Sequence, residues 1–231
     1  MELKHGPEIP RVCRTDGRED FTIYKTSALK RIVPVQVLVP SIPLRIEQLA
    51  RALNSVERQT VAFEVLVRLD KEREGAAANR NKLLNFADRE FVAFLDDDDE
   101  MYPDHIELLY DLITREKADI AYSIPRICDQ NGNALDPCHE FHVGNFEFSP
   151  DKLLERNFIP VTVLARRETL VRVGGFEHLP NFYGEDHGLW LKLLYAGAKF
   201  VHLPLQTWQY NWWGQGLPGQ PGNTSGLPEH W

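Results

Sequence analysis

Four consecutive aspartates, Asp96, Asp97, Asp98 and Asp99, follow the apolar stretch Phe91-Val92-Ala93-Phe94-Leu95 and precede Glu100. Like charges at that density repel one another unless something cationic binds among them. The apolar stretch suits a buried strand, and ligand sites of parallel α/β sheets lie at the carboxyl ends of strands. If extended geometry persists into the run, Asp96 and Asp98 face one way and Asp97 and Asp99 the other. One such pair can hold a hard divalent ion through oxygen ligands and leave positions for substrate phosphates. A solvated acidic turn ahead of a helix opened by Pro103 accounts for the same residues equally well.

Other residues have two readings as well. Asp70 closes an apolar stretch, where Asp is common as a turn former. Arg80 falls on an alanine-rich helical segment and can be a solvated helix residue. Gly174-Gly175-Phe176 reads as a backbone turn with a buried aromatic. Glu185 and Asp186 open a helical pattern, where the helix dipole favours carboxylates with or without chemistry.

These residues are placed by alternating strands and helices. Val33, Val35, Val37, Leu38 and Val39 form an apolar run ending at Pro40 and Ser41. Ile46, Leu49, Ala50, Leu53 and Val56 then recur at helical spacing. Phe63 to Leu69 reads as a second strand, Ala76 to Ala87 as a helix, and Phe91 to Leu95 as a third strand. Pro103 opens a helix carrying Ile106, Leu109, Leu112 and Ile113. Further on, Ile120–Ile127 and Val161–Leu164 read as strands, Asn131-Gly132-Asn133 as a turn, and Glu185 to Ala196 as a helix closed by Gly197. The pattern predicts an α/β fold, a mostly parallel sheet flanked by helices.

Composition narrows the classes. The 231 residues are 43% hydrophobic, enough for one substantial core. A net charge of −8 argues against a protein that coats nucleic acid. Cys13, Cys128 and Cys138 are too few and too scattered for a disulfide framework or a paired zinc site. No signal peptide is visible, and no apolar run approaches the ~20 residues of a membrane span. A soluble, cytoplasmic protein is expected.

Taken in order, Val37-Leu38-Val39-Pro40-Ser41, the strand ending at Asp70, Gly75-Ala76-Ala77-Ala78-Asn79-Arg80-Asn81, Phe94-Leu95-Asp96-Asp97-Asp98-Asp99, Val173-Gly174-Gly175-Phe176-Glu177 and Gly184-Glu185-Asp186-His187-Gly188-Leu189-Trp190-Leu191-Lys192-Leu193 resemble the family-2 glycosyltransferases of the GT-A fold. The resemblance runs from about Val33 to Gly197. It implies a Rossmann-like single domain with a C-terminal acceptor region: an arm over 1–30, the transferase domain over 31–213, and a Gly/Pro-rich tail or lid over 214–231. It also implies Mn2+ or Mg2+ and a nucleotide-sugar donor, UDP-sugar first among them. Pro40 and Ser41 would lie on the nucleotide-binding strand, Asp70 would read the base, and Arg80 would stand near the nucleotide. Asp96 and Asp98 would form the two ends of the Asp-x-Asp motif that handles ribose, metal and diphosphate, with Asp97 between them at the donor. Asp186 would be the general base of an inverting transfer, with Glu185 in support.

This sequence departs from the family pattern in places. Leu69 stands where many relatives have a second Asp, and the segment from Asp70 to Gly75 is short. Tyr210-Asn211-Trp212-Trp213 replaces the Arg and metal-completing His that relatives often show. Water, His202 or His230 would then complete the metal shell. Trp208, Trp212 and Trp213 can stack on a sugar as an acceptor platform, or pack in the core. The acceptor itself is open among a glycan, a protein, a small molecule and a modified base. Two other classes would use similar residues: a nucleotide-sugar-binding module without catalysis, and a metal-dependent nucleotidyl or phosphoryl transferase.

Overall fold

Val33, Val35, Val37 and Val39 share one face of strand β2 (Ile32–Ser41), with Leu38 on the other, and all five are buried. Burying each valine is worth roughly 1.5–3 kcal/mol. A one-residue slip would put Gln36 on the valine face, so the register is pinned. The computed structural model describes residues 21–26, 30–129, 131–135, 143–177 and 184–212.

β2 pairs in parallel with β3 (Ala62–Leu69) on one side and β4 (Phe91–Phe94) on the other. The short edge strand β1 (Phe21–Lys25) runs antiparallel to β3, so the sheet takes in part of the segment assigned to the N-terminal arm. Helices α1 (Ile46–Glu57) and α3 (His105–Glu116) cover the valine face through Leu49, Leu53, Val56, Ile106, Leu109 and Ile113. Helix α2 (Ala76–Phe86) covers the Leu38 face, together with α6 (Glu185–Tyr195), through Leu83, Leu84, Leu189, Trp190 and Leu193. The sheet is therefore buried on both faces, as continuous apolar strands require.

The second half adds β6 (Ile120–Asp129), α4 (Pro150–Glu155), β7 (Val163–Arg166), α5 (Arg167–Arg172) and β8 (Phe200–Trp212). β7 runs antiparallel to both β4 and β6, and β6 pairs in parallel with β8. With β5 (Glu100–Met101) at one edge, the eight strands follow the order β1-β3-β2-β4-β7-β6-β8-β5. The expected layering is present. The sheet is parallel through β3-β2-β4, and it becomes mixed where β7 inserts in the opposite sense.

β8 has no counterpart in the sequence reading, because Pro204 and the polar residues after it break its apolar pattern. Two register shifts against β6 accommodate that irregularity. Beyond them, Trp208 and Gln209 pair with Met101 and Glu100 of β5 (Glu100–Met101), immediately after the aspartates. Among the described residues no helix is long and apolar enough to cross a membrane. Trp213, His230 and the 214–231 tail lie outside the described residues.

Candidate active site

The three parallel strands end together. Asp70 N–H donates to Ser41 O at 2.8 Å, and Leu95 N–H donates to Leu38 O at 3.1 Å. Ser41, Asp70 and Asp96 are thereby held at one carboxyl edge of the sheet, where α/β folds place their ligands.

Strand geometry does not continue into the acidic run. It stops at Phe94, and Asp99 N–H closes a turn onto Asp96 O at 3.1 Å. The turn still separates the aspartates in alternation. Asp97 and Asp99 are buried, while Asp96 and Asp98 are half-buried. Asp97 Oδ2 accepts from the Ser41 hydroxyl at 2.7 Å, and its Oδ1 accepts from Arg45 Nη1 at 2.9 Å. The same Arg45 nitrogen lies 3.1 Å from Asp98 Oδ2. Asp99 Oδ1 accepts from Asn211 N–H at 2.9 Å, and Asn211 Nδ2 donates to Asp98 O at 2.7 Å. Burial lifts the Asp98 carboxyl to about 7, with Arg45 pulling against it and Asp97 and Asp96 adding to the rise. Burial and then Asp98 hold Asp99 well above the carboxylate range.

Arg80 joins the run to helix α6. Its Nη2 donates to Asp96 Oδ1 and its Nη1 to Glu185 Oε1, each at 2.6 Å. The guanidinium lies over the Phe176 ring at 5.5 Å, and Phe176 meets Phe94 edge-on at 5.1 Å. Burial works against the charge on Arg80, but the two carboxylates outweigh it and raise its pKa. Gly174 and Gly175 have φ of 81° and 68°, and a Cβ on Gly175 would strike Asn81, whose side chain ties down Phe176 N and O. The turn with a buried aromatic is thus the floor beneath Arg80.

Asp186 stands next to Glu185 in the first turn of α6. Its Oδ1 accepts from His187 N–H at 2.8 Å, and its Oδ2 accepts from Asn157 Nδ2 at 2.9 Å. Burial, reinforced by Glu185, pushes Asp186 up to about 6. Asp70 is buried and spends both oxygens on its own loop, accepting from Glu74 N–H at 3.1 Å and Gly75 N–H at 2.9 Å. Beside it, Arg68 bridges Asn79 and Glu74, and Asn79 donates to Ser41 O.

Of the aromatic candidates, Trp208 is buried and packs edge-on against Tyr210, while Trp212 is half-buried next to Asn211. His202 bonds Gly144 O at 2.8 Å and stacks on Tyr122, so it is engaged with the 143–148 segment. Arg45, Asn157 and Asn211 were not singled out by sequence. Nothing local marks Arg45, and only the folded chain brings it to the aspartates. Two clefts, of about 320 and 420 Å³, lie at the other end of the sheet around Lys25, Glu64 and Arg89, and share none of these residues.

Among the described residues no three His, Cys, Asp or Glu side chains converge on one point as a protein-only metal cage. The oxygens of Asp98 and Asp96 are hard donors, suited to Mg2+ or Mn2+. Mg2+ is commonly held by one or two carboxylates with waters and substrate phosphates completing the shell. The donor set therefore fits a hard ion shared with a diphosphate.

The family model for glycosyl transferase family 2 matches residues 59–177, just over half of the chain. A Bacillus subtilis (strain 168) protein assigned to teichuronic acid biosynthesis as a glycosyltransferase, TuaG, is 30% identical over 129 residues, covering 55% of this chain and 48% of that protein. The structure of S. aureus TarS 1-349 in complex with UDP-GlcNAc superposes with a TM-score of 0.60 at 16% identity, over 84% of this chain and 61% of that one. The mannosyltransferase PcManGT from Pyrobaculum calidifontis, in complex with GDP-Man and Mn2+, gives 0.53 at 16%, over 74% and 55%. At such identities the structural likeness speaks to fold. The chain spans about half to three fifths of the length of these relatives.

Proposed function

Since the chain belongs to glycosyl transferase family 2, we propose that it moves a sugar from a nucleotide diphosphate donor, a UDP-sugar, to an acceptor hydroxyl with inversion. The observation that carries this reading is the Arg80 bridge, which sets the acidic run at the end of β4 beside the Glu185-Asp186 pair of α6. The complexes of TarS with UDP-GlcNAc and of PcManGT with GDP-Man support a nucleotide-sugar donor, and the first of them favours the uridine base.

In this reading Ser41, Asp70 and Arg80 line the nucleotide side, and Asp96 and Asp98 would hold a divalent ion. When bound, that ion neutralises charge developing on the leaving diphosphate. The acceptor oxygen attacks the anomeric carbon as its bond to the diphosphate oxygen breaks, and nucleoside diphosphate departs. The acceptor proton passes to Asp186. A base near pKa 6 is ionised at neutral pH yet close enough to it for effective proton transfer. Glu185 positions Arg80, and Trp212, which follows the Asn211 bound to the aspartate run, is assigned to the acceptor side.

The test is calorimetric titration of UDP-sugars with Mn2+ or with chelator, followed by product analysis. Donor binding should require the ion, Asp98→Ala should remove that dependence, and turnover should release UDP and transferred or free sugar. Cleavage between the two phosphates, seen as nucleoside monophosphate or sugar 1-phosphate among the products, would mark a nucleotidyl or phosphoryl transferase. Unchanged metal dependence in Asp98→Ala would overturn the assignment of the ion site.

A further inference from the structure

Arg45 leads into α1 at the edge of the site and places one nitrogen, Nη1, between two carboxylates, 2.9 Å from Asp97 Oδ1 and 3.1 Å from Asp98 Oδ2. Its side chain is 15% exposed. Asp98 is one of the two carboxylates assigned to the ion, so Nη1 occupies an oxygen that the ion needs. We propose that Arg45 is the resident cation of the donor site: it neutralises Asp98 in the donor-free protein, competes with the divalent ion for that carboxylate, and passes to the donor's diphosphate when ion and donor enter together. The inference rests on the nucleotide-sugar reading of the site.

Adjacent aspartates need countercharge whether or not a ligand is bound. Arg80 supplies it to Asp96, and Arg45 supplies it to Asp97 and Asp98. Arg45 can leave without disturbing the core. It ends a 3-10 turn, Pro43–Arg45, that buries no residue, and its neighbours Leu44 and Ile46 are mostly exposed. Asp97 is held in place independently by Ser41. An ion at Asp98 would repel the guanidinium from Oδ2, and a diphosphate would offer its planar fork a two-point partner. Ion binding alone is then weak because it displaces Arg45, and the donor strengthens it by accepting that arginine. Such coupling is reciprocal.

The experiment follows free Mn2+ by its paramagnetic resonance signal as chelator-stripped full-length protein is titrated, with and without UDP. Arg45→Met should bind Mn2+ at least tenfold more tightly than wild type without UDP, and the tightening that UDP produces should shrink by a similar factor. Arg45→Lys, which keeps the charge and loses the fork, should bind Mn2+ as wild type does without UDP and recover only part of the tightening that UDP produces. Arg45→Gln, which removes the charge and keeps a shorter polar side chain, gives the same reading if Arg45→Met does not fold. If the charge-removing variants bind Mn2+ no more tightly while Asp98→Asn abolishes binding, Arg45 does not compete with the ion and the ion site stands. If Asp98→Asn binds Mn2+ as wild type does, the ion site fails and this inference with it. If UDP tightens Mn2+ binding equally in Arg45→Met and wild type, the transfer to diphosphate is wrong.

Discussion

Asn157 donates its side-chain N–H to Asp186 Oδ2 at 2.9 Å, linking the end of the α4 segment to the first turn of α6. A hydrogen bond to the ionised carboxylate favours that form, so Asn157 restrains the rise that burial imposes on Asp186. Asp186→Asn keeps shape and removes basicity. It should bind donor normally and turn over ~10²–10⁴ times more slowly. Asn157→Ala should lower turnover less and move the acid limb of the rate profile, which lies near pH 6 in the wild type, to higher pH. Rate profiles of both variants check this, and an acid limb that stays in place in Asn157→Ala would separate Asn157 from the proton transfer.

Arg80 serves two carboxylates from one buried fork, its side chain 7% exposed and those of Asp96 and Glu185 28% and 31%. Removing one member of a buried ion pair costs about 3–5 kcal/mol. Because both carboxylates reach solvent, Arg80→Met should fall at or below the lower end of that range. Arg80→Lys lacks the fork and should recover only part of the loss. Urea midpoints of the two variants would show it, and wild-type midpoints in both would reduce Arg80 to a functional role alone.

His105 is buried at the start of α3, with Nδ1 2.7 Å from Thr207 Oγ1, which in turn lies 2.6 Å from Ser123 Oγ. Burial depresses it to about 3. In the unfolded chain it takes up a proton near pH 6.5. The folded state binds fewer protons between those values, so stability is present above pH 6.5 and is lost as pH falls toward 3. The slope from this residue approaches about 1.4 kcal/mol per pH unit. Asp98 and Asp99, raised by burial, act with opposite sign over part of the same range. The comparison that isolates His105 is therefore wild type against His105→Asn, whose stability should decline less between pH 6.5 and 4.5 in denaturant titrations.

Much of this architecture could be read from local pattern. The alternating valines of β2, the apolar runs of β3 and β4 and the helical spacing of α1 and α3 depend on neighbours a few residues away, and burial on a sheet or helix face enforces those periods. The same logic located the aspartates after a strand and Asp186 in a first helical turn. What the linear pattern could not supply is pairing over long separations. Arg45 reaches Asp97 across 52 residues, Arg80 reaches Glu185 across 105, and Asn211 reaches Asp99 across 112. No local spacing encodes such contacts, because they form only when strands distant in sequence become neighbours in the sheet. Tertiary structure alone decided that Glu185 serves Arg80, that His202 belongs to the 143–148 segment, and that Asp97 turns inward to Ser41 while Asp98 stays at the rim. The division between Asp97 and Asp98 follows from how adjacent carboxyl groups must be shared among the cations and N–H donors that folding brings within reach.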